Sequence, residues 1–490
     1  MAPRAPGPAE IPPRPGRRSR RREPEASLTF YGATGHVTGS RFLLRSDRHS
    51  ILVDCGLLQE EHLAARNREP FPFEPAELDR VLLTHAHLDH SGCLPRLVHQ
   101  GFRGRITCTS ATRDIAQILL MDAARLNQED ATYRRRQERK HGRRTPAIPP
   151  LYGVGDVRAT IERFEPVEYH KRAAIGPGLF ATFSDAGHIL GAASILVEVP
   201  ARGGMVRVLF SGDVGRPGRP ILHDPDPPPA ADYVVVESTY GDRVHDPRDV
   251  EDQLEEIVND TVARGGNVVI PSFAVERTQE VLLHLRRLTE AGRIPPLVTF
   301  LDSPMGTAVT RLFRRYAALL DPDVAAGFGR HRSPFEYPTL HIVDTPDASK
   351  AINGVRGSVI IIAGAGMCNG GRVVHHLAHN LGRPESTVAM VGYQATGTLG
   401  RDLLDGHDVV YLFGEPHPVR ARIAEVAALS AHADRDELCA WLERLPNRPE
   451  RVLLVHGEEN ASRALRDHLA ARTGWDVSVP AYGDVIALGE

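Results

Sequence analysis

Cysteine is sparse in this chain. The five thiols among 490 residues, Cys55, Cys93, Cys108, Cys368 and Cys439, are odd in number, scattered and free of any C-x-x-C pair. That argues against a disulfide framework and against a thiolate zinc site, and it suits a reducing cytoplasm. No apolar run approaches the ~18–20 residues of a membrane span. Lysine is scarce too, with only Lys140, Lys171 and Lys350, a bias of composition rather than of chemistry. Net charge is −3 with histidine neutral, so the chain as a whole is no basic nucleic-acid binder and any polyanion site must be local. What is present is globular: 41% hydrophobic and 25% charged residues, over a length that suggests two domains.

Residues 1–26 are rich in Pro, Arg and Ala and lack the apolar stretch of a secretory signal. They read as a disordered arm whose run Arg17, Arg18, Arg20, Arg21 and Arg22 is a solvated tail first and a nucleic-acid contact second. From Ser27 the pattern becomes short strands between glycine turns, at Leu28–Tyr31, Ser40–Arg45, Ser50–Asp54 and Arg80–Thr84. A long helix is expected over about Ala111–Arg139, from the spacing of Ile115, Ile118, Leu119 and Ala123, and it ends in the basic run YRRRQERKHGRR. Strands at Gly178–Ser184, Ala193–Val199, Met205–Ser211 and Tyr233–Glu237 complete a strand-rich α/β unit with mixed or antiparallel sheets. After Gly241 helices alternate with continuous apolar strands such as NVVIPSF, SVIIIAGAG and TVAMVGYQ, the pattern of a parallel, doubly wound sheet. Short strands return in RVLLVHGE. The chain therefore divides into the arm 1–26, a first domain made of 27–241 and 429–490, and a Rossmann-like insert 242–428.

The stretch that carries chemistry is LLTHAHLDHSG, with His85, His87, Asp89 and His90 directly after an apolar strand. His85 and His87 stand at i and i+2, so both can project to one side of a strand end. Asp89 and His90 sit on the turn that follows and can face a second position beside the first. Six residues cannot enclose two divalent cations, so further ligands must come from elsewhere. His188 in FSDAGHILGA, Asp213 in VLFSGDVGR and His456 in VLLVHGEEN are polar residues where apolar strands stop. Imidazole with carboxylate and no thiolate suits Zn2+, with Mn2+ and Fe2+ left open. A carboxylate such as Asp213 can bridge two cations and offset their repulsion.

H-x-H-x-D-H followed by a later His, Asp and His resembles the metallo-β-lactamase fold hydrolases. VVVESTYGDR, SFAVERTQE, LDSPMG, AGMCNGGR, GYQATGTLGRDLLDG and LSAHADRDEL, in that order, look like their β-CASP branch of RNA-processing nucleases. The resemblance covers essentially all of 27–490. It implies an αββα sandwich with an inserted parallel α/β domain. It gives one metal to His85, His87, His188 and Asp213, and a second to Asp89, His90, Asp213 and His456. Glu237 and His432 match the branch's own motifs, and Asp54 in LVDCG matches a buried acid that supports the ligand loop. The loop AGAGMCNGG departs from the branch's Ser-containing version. Residue chemistry agrees with this picture. Two cations activate a bridging water and stabilise an in-line displacement at phosphorus. His432, left over once the ligands are assigned, can protonate the leaving 3′-oxygen, and Glu237 can hold its protonated form.

The expectation is thus a two-metal phosphodiesterase acting on single-stranded RNA, most simply an endoribonuclease, with the insert capping the metals. The rivals are a DNA nuclease of the same fold and a metal-binding scaffold without activity. A histidine at the last motif, as at His456, is the pattern of the RNA-directed members, and filled ligand positions disfavour a scaffold. The large insert disfavours a small-molecule hydrolase. Gly364, Gly366 and Gly370 imitate a dinucleotide fingerprint, but the spacing is G-x-G-x-x-x-G and no acid ends the next strand, so a tight turn beside the cleft is the better reading. His375, His376 and His379 read as surface or packing residues, and His36 lies near the site with no role assigned. Monomer and homodimer are both open.

Overall fold

The computed structural model describes residues 26–46, 49–60, 62–140, 149–329 and 333–489. Residues 1–25 of the arginine-rich arm and the end of the basic run, residues 141–144, lie outside them, while Ala26, read as the arm's last residue, opens the first strand. The first sheet has seven strands in the order Val485–Ala487, Ala26–Phe30, Phe42–Ser46, His49–Val53, Arg80–Leu82, Arg105–Thr109 and Phe164–Val167. Its first three pairings are antiparallel and its last three parallel. A second seven-stranded sheet runs Val477–Ser478, Arg451–Val455, Tyr233–Glu237, Gly204–Phe210, Ala193–Ala201, Leu179–Asp185 and Ala173–Gly176. Here the parallel pairings come first and the antiparallel ones last.

The two sheets share one dry core. Leu28, Phe30, Leu44 and Val53 from the first meet Phe183, Ile195, Val208, Phe210 and Val235 from the second, all buried. Phe42 stacks on Phe210 across the gap with ring centroids 6.2 Å apart. Alternation along each strand sends the other residues outward, where helices cover them. Leu97, Ile115 and Leu119, on the helices Leu94–His99 and Ser110–Lys140, take the outer face of the first sheet. Trp441, Leu465 and Leu469, on the helices Arg435–Leu442 and Glu459–Thr473, take that of the second. The result is an αββα sandwich.

A six-stranded sheet, Leu340–Ile342, Val298–Asp302, Val359–Ala363, Val268–Pro271, Thr387–Met390 and Arg422–Glu425, is parallel at every pairing. The apolar cluster that holds Ile115 and Leu119 continues without a break into Leu254, Val281 and Leu285, so this sheet's helices pack directly on the sandwich. Among the described residues no helix is long and apolar enough to cross a membrane.

The strand before the histidine cluster is shorter than its apolar pattern suggests. It ends at Leu82 rather than Thr84, because the Thr84 N–H donates to the Asp54 carboxylate instead of a sheet partner. Several short strands escape pattern reading altogether, among them Phe164–Val167, Leu340–Ile342, Arg422–Glu425 and the hairpin Val409–Leu412 with Glu415–Pro418. The first three carry no sustained apolar run, and the hairpin's outer strand contains two prolines.

Candidate active site

Every ligand-bearing segment leaves the C-terminal end of a strand. His85 and His87 lie on the irregular stretch after Arg80–Leu82, with His87 immediately before the short helix Leu88–Ser91 that carries Asp89 and His90. The i, i+2 alternation expected of a strand is therefore not what aims His85 and His87; the rings stand at 81° to one another on bent backbone. His188 follows Leu179–Asp185, Asp213 follows Gly204–Phe210, and His456 follows Arg451–Val455. His456 takes the left-handed φ of 52° and Asp54 one of 59°, conformations disfavoured for any residue with a Cβ. Two glycines let the loops close up. A Cβ on Gly56 would stand 1.6 Å from the Asp89 carbonyl oxygen, and one on Gly215 would stand 1.9 Å from that of Gly187.

The structure brings the expected residues into two sets joined by one carboxylate. Asp213 Oδ2 is 3.3 Å from both His85 Nε2 and His188 Nε2. His87 Nδ1 is 3.1 Å from His85 Nε2 and 3.2 Å from His188 Nε2. The other oxygen, Asp213 Oδ1, is 3.3 Å from His90 Nε2 and 3.6 Å from His456 Nε2, and Asp89 Oδ2 is 3.4 Å from His456 Nε2. Two ligands of one tetrahedral zinc, each ~2.0–2.1 Å from it, stand about 3.3–3.4 Å apart. The observed edges have that length. Among the described residues His90 Nε2, His456 Nε2 and Asp213 Oδ1 are moreover buried without a hydrogen-bond partner, a cost that a shared cation removes. The donor set fits two divalent ions.

Charge states differ between the two sets: burial opposes a charge on His90, but Asp213 and Asp54 outweigh it and hold its imidazole well above the usual range, whereas the first set is neutral. Burial pushes His85 down to about 3 and His87 down to about 4, and holds His188 well below the usual histidine range, so all three are neutral as metal ligands must be. Burial alone would raise Asp213, yet His456, His90 and His85 around it keep its carboxyl well below the usual range.

Around the ligands lies a layer that fixes their orientation. Asp54 accepts from the Thr84 N–H at 2.8 Å and from its hydroxyl at 2.9 Å, and its Oδ2 lies 2.7 Å from His90 Nδ1. Thr84 Oγ1 also reaches His85 Nδ1 at 3.1 Å, and Thr239 Oγ1 reaches His456 Nδ1 at 3.1 Å. Such partners set the tautomer and aim of a ligating imidazole. Both threonines escape a reading of the sequence; the only signal is a hydroxyl directly beside a motif.

Glu237 and His432 meet above the shared carboxylate. His432 Nδ1 is 3.1 Å from each Glu237 oxygen and 4.0 Å from Asp213 Oδ2. Glu237 Oε1 also accepts from the Val214 N–H at 2.7 Å, tying the histidine to the Asp213 loop. Burial opposes a charge on His432, but Glu237 outweighs it and raises the imidazole to about 9. Tyr240 stands edge-on to His432 at 6.2 Å and Tyr393 edge-on to Tyr240 at 5.8 Å. The Tyr393 and Thr396 hydroxyls both donate to Glu458 Oε1, at 3.0 and 2.9 Å, so the six-stranded-sheet side touches the sandwich two residues beyond His456.

Residues set aside by the sequence reading find other work. His376 is buried, with Nε2 2.7 Å from Asp302 Oδ2, and His375 stacks on Phe413 at 4.7 Å. The loop bearing His36 abuts the site, since the His456 N–H donates to the Ala33 carbonyl at 2.8 Å.

An αββα sandwich carrying a two-set His/Asp centre under an added parallel α/β unit is the mark of a metallo-β-lactamase fold hydrolase with a β-CASP insert. Three family descriptions match in order: the metallo-beta-lactamase superfamily over residues 35–176, the Beta-Casp domain over 278–403, and the Zn-dependent metallo-hydrolase RNA specificity domain over 416–480. Ribonuclease TTHA0252 of Thermus thermophilus is 39% identical over 455 residues, covering 93% of this chain and 98% of that protein. Transcription termination factor FttA of Methanosarcina mazei is 32% identical, over 89% of this chain and 67% of its own. An RNase J-like protein of Methanocaldococcus jannaschii is 27% identical, over 94% and 99%. A crystal structure of a protein of unknown function from Enterococcus faecalis shares the fold, with a TM-score of 0.52 at 12% identity, over 94% of this chain and all of that one. The chain belongs to the β-CASP ribonucleases of the metallo-β-lactamase superfamily.

Proposed function

We propose that this chain cleaves single-stranded RNA internally, as a phosphodiesterase with two divalent ions, most simply Zn2+. The observation that carries this reading is the Glu237–His432 pair set over the carboxylate that joins the two donor sets. His85, His87, His188 and Asp213 would hold one ion, and Asp89, His90, Asp213 and His456 the other. When bound, the ions supply an activated water and stabilise charge on the phosphate.

The protein's own groups do the rest. Glu237 takes His432 Nδ1, which leaves Nε2 free to face the substrate. His432 is charged at neutral pH and gives the Nε2 proton to the departing 3′-oxygen as the P–O3′ bond breaks and its electron pair stays on that oxygen. The products are a 3′-hydroxyl and a 5′-phosphate, and Glu237 stabilises the charged imidazole before transfer. Asp54 keeps the His90 ring in place throughout. Residues 27–241 with 429–490 form the metal-bearing domain, and 242–428 cap it, leaving a cleft suited to a single strand. Five free, buried cysteines support cytoplasmic residence.

The test is cleavage of a labelled single-stranded RNA against DNA of the same sequence. Internal cutting of the RNA alone is expected. Preferential DNA cutting would replace this reading with a DNA nuclease, and release of single nucleotides only would replace endonuclease with exonuclease.

A further inference from the structure

His432 sits on a stretch without regular structure, between the short turn Ala427–Leu429 and the helix Arg435–Leu442. Proton transfer needs that residue placed to within a fraction of an ångström, because a misplacement of ~1 Å can cost about 10²-fold. Glu237 orients the ring, but a side-chain contact does not fix the backbone that carries it. Several main-chain bonds hold the neighbours of His432. The Ala433 N–H donates to the Val214 carbonyl at 2.8 Å and the Arg435 N–H to the Arg243 carbonyl at 3.1 Å. Farther back, Arg216 and Arg219 both donate to the Ala428 carbonyl, at 2.8 and 2.7 Å.

At residue 432 itself the strong contact is with a histidine. His245 Nε2 lies 2.9 Å from the His432 carbonyl oxygen. A carbonyl only accepts, so Nε2 must carry the proton and donate. Burial and nearby Arg216 push His245 down to about 4, which keeps it neutral and in one tautomer. His245 is itself braced. Its ring stands edge-on to Tyr240 at 4.9 Å, and its main-chain N–H donates to Asp434 Oδ2 at 2.9 Å. That bracing is continuous with the cap of the following helix, where Asp434 Oδ1 accepts from the Asp436 and Glu437 N–H groups at 2.9 Å each.

We infer that His245 is a positioning residue for RNA cleavage: its Nε2–H grips the His432 carbonyl and holds the proton donor at the height of the leaving oxygen. The inference rests on His432 acting as the acid. It assigns His245 no contact with substrate or metal.

The experiment compares two RNAs at the parent enzyme's mapped cut site, one natural and one with sulfur in place of the scissile 3′-oxygen. A thiolate leaves without a proton, so the second RNA bypasses the acid. His245→Phe keeps a ring against Tyr240 and removes the donor. It should cut the natural RNA with kcat lowered about 10- to 100-fold at unchanged KM and metal content. It should cut the sulfur-containing RNA at close to the parent rate, and His245→Gln should recover part of the loss. Parent-like cleavage of natural RNA by His245→Phe would overturn the inference, and so would an equal loss on both RNAs, the mark of a damaged fold or metal site. His432→Ala, run beside it, separates the failures. If that variant still cuts natural RNA, the acid assignment is wrong. If it does not while His245→Phe does, only the role of His245 is wrong.

Discussion

Two groups of metal-capable side chains lie close together here, and they differ in a way that composition does not reveal. One is the His/Asp centre built on Asp213. The other is His245, Asp434 and Glu437, whose donor atoms also converge within 4.8 Å. In the second group all four carboxylate oxygens are taken. Asp434 caps a helix and receives the His245 N–H, and Glu437 receives the Asp434 N–H at 2.9 Å and the Arg216 guanidinium at 3.2 Å. In the first group His90 Nε2, His456 Nε2 and Asp213 Oδ1 are buried at ion-pair distances from one another but make no hydrogen bond among the described residues. Density of metal-capable residues therefore does not distinguish the two groups; unmet hydrogen-bonding capacity at ligand spacing does.

The sharpest way to break this contrast is Asp213→Ala, which removes the shared carboxylate. Metal analysis should fall below two ions per chain and RNA cleavage should vanish; retention of both ions would refute the bridge. His432→Ala should keep two ions and lose about 10²- to 10⁴-fold in RNA cleavage, and loss of metal in that variant would make His432 a ligand rather than an acid. For Asp54→Asn, a chelator competition should show metal affinity weakened by about 10- to 100-fold, since the His90 ring loses its anionic partner.

A third kind of buried group sharpens the comparison. Among the described residues Glu276 has one carboxylate oxygen with no hydrogen-bond partner, and Glu280 already engages Arg219 and Arg277 beside it. Burial pushes Glu276 up to about 8 against the pull of those arginines. Here a proton, not a cation, resolves the unmet demand. The unfolded chain releases that proton near pH ~4.3 while the native fold keeps it, so stability is full below that pH and declines as pH rises toward 8. Glu276→Gln escapes the decline. Its Tm relative to the parent should climb between pH 5 and pH 8, and a flat difference would mean that the acid is ionised in the fold. The mildest expected effect is Asp434→Ala, in the satisfied group. It should leave the ion count at two and cost about 1 kcal/mol through the lost helix cap, read from denaturant unfolding.

How much of this was legible in the chain varies by residue. The residues proposed as ligands stood out, because each sits at or just beyond the end of an apolar strand, and the order of motifs suggested the pairing that spacing alone could not. The alternation of apolar strand and helix after Gly241 showed the parallel sheet. Thr84 was not legible: its role comes from an acid 30 residues earlier, at Asp54. His245 was not either, since its partner is 187 residues later. Local pattern carries no trace of contacts at that range, and polar side chains that bond to backbone leave no periodicity. The short edge strands were missed for the opposite reason, since they are local but too brief and too polar to show a period.

The placement of the last strands bears on how the enzyme is made. Arg451–Val455 slots between Tyr233–Glu237 and Val477–Ser478, and Val485–Ala487 pairs with Ala26–Phe30 at the edge of the other sheet. Both sheets thus wait on residues that a ribosome produces late, and the second donor set lacks His456 until then. Until Arg451–Val455 arrives, Tyr233–Glu237 has one neighbour in place of two, so the sandwich closes through contacts far apart in the chain rather than through local ones.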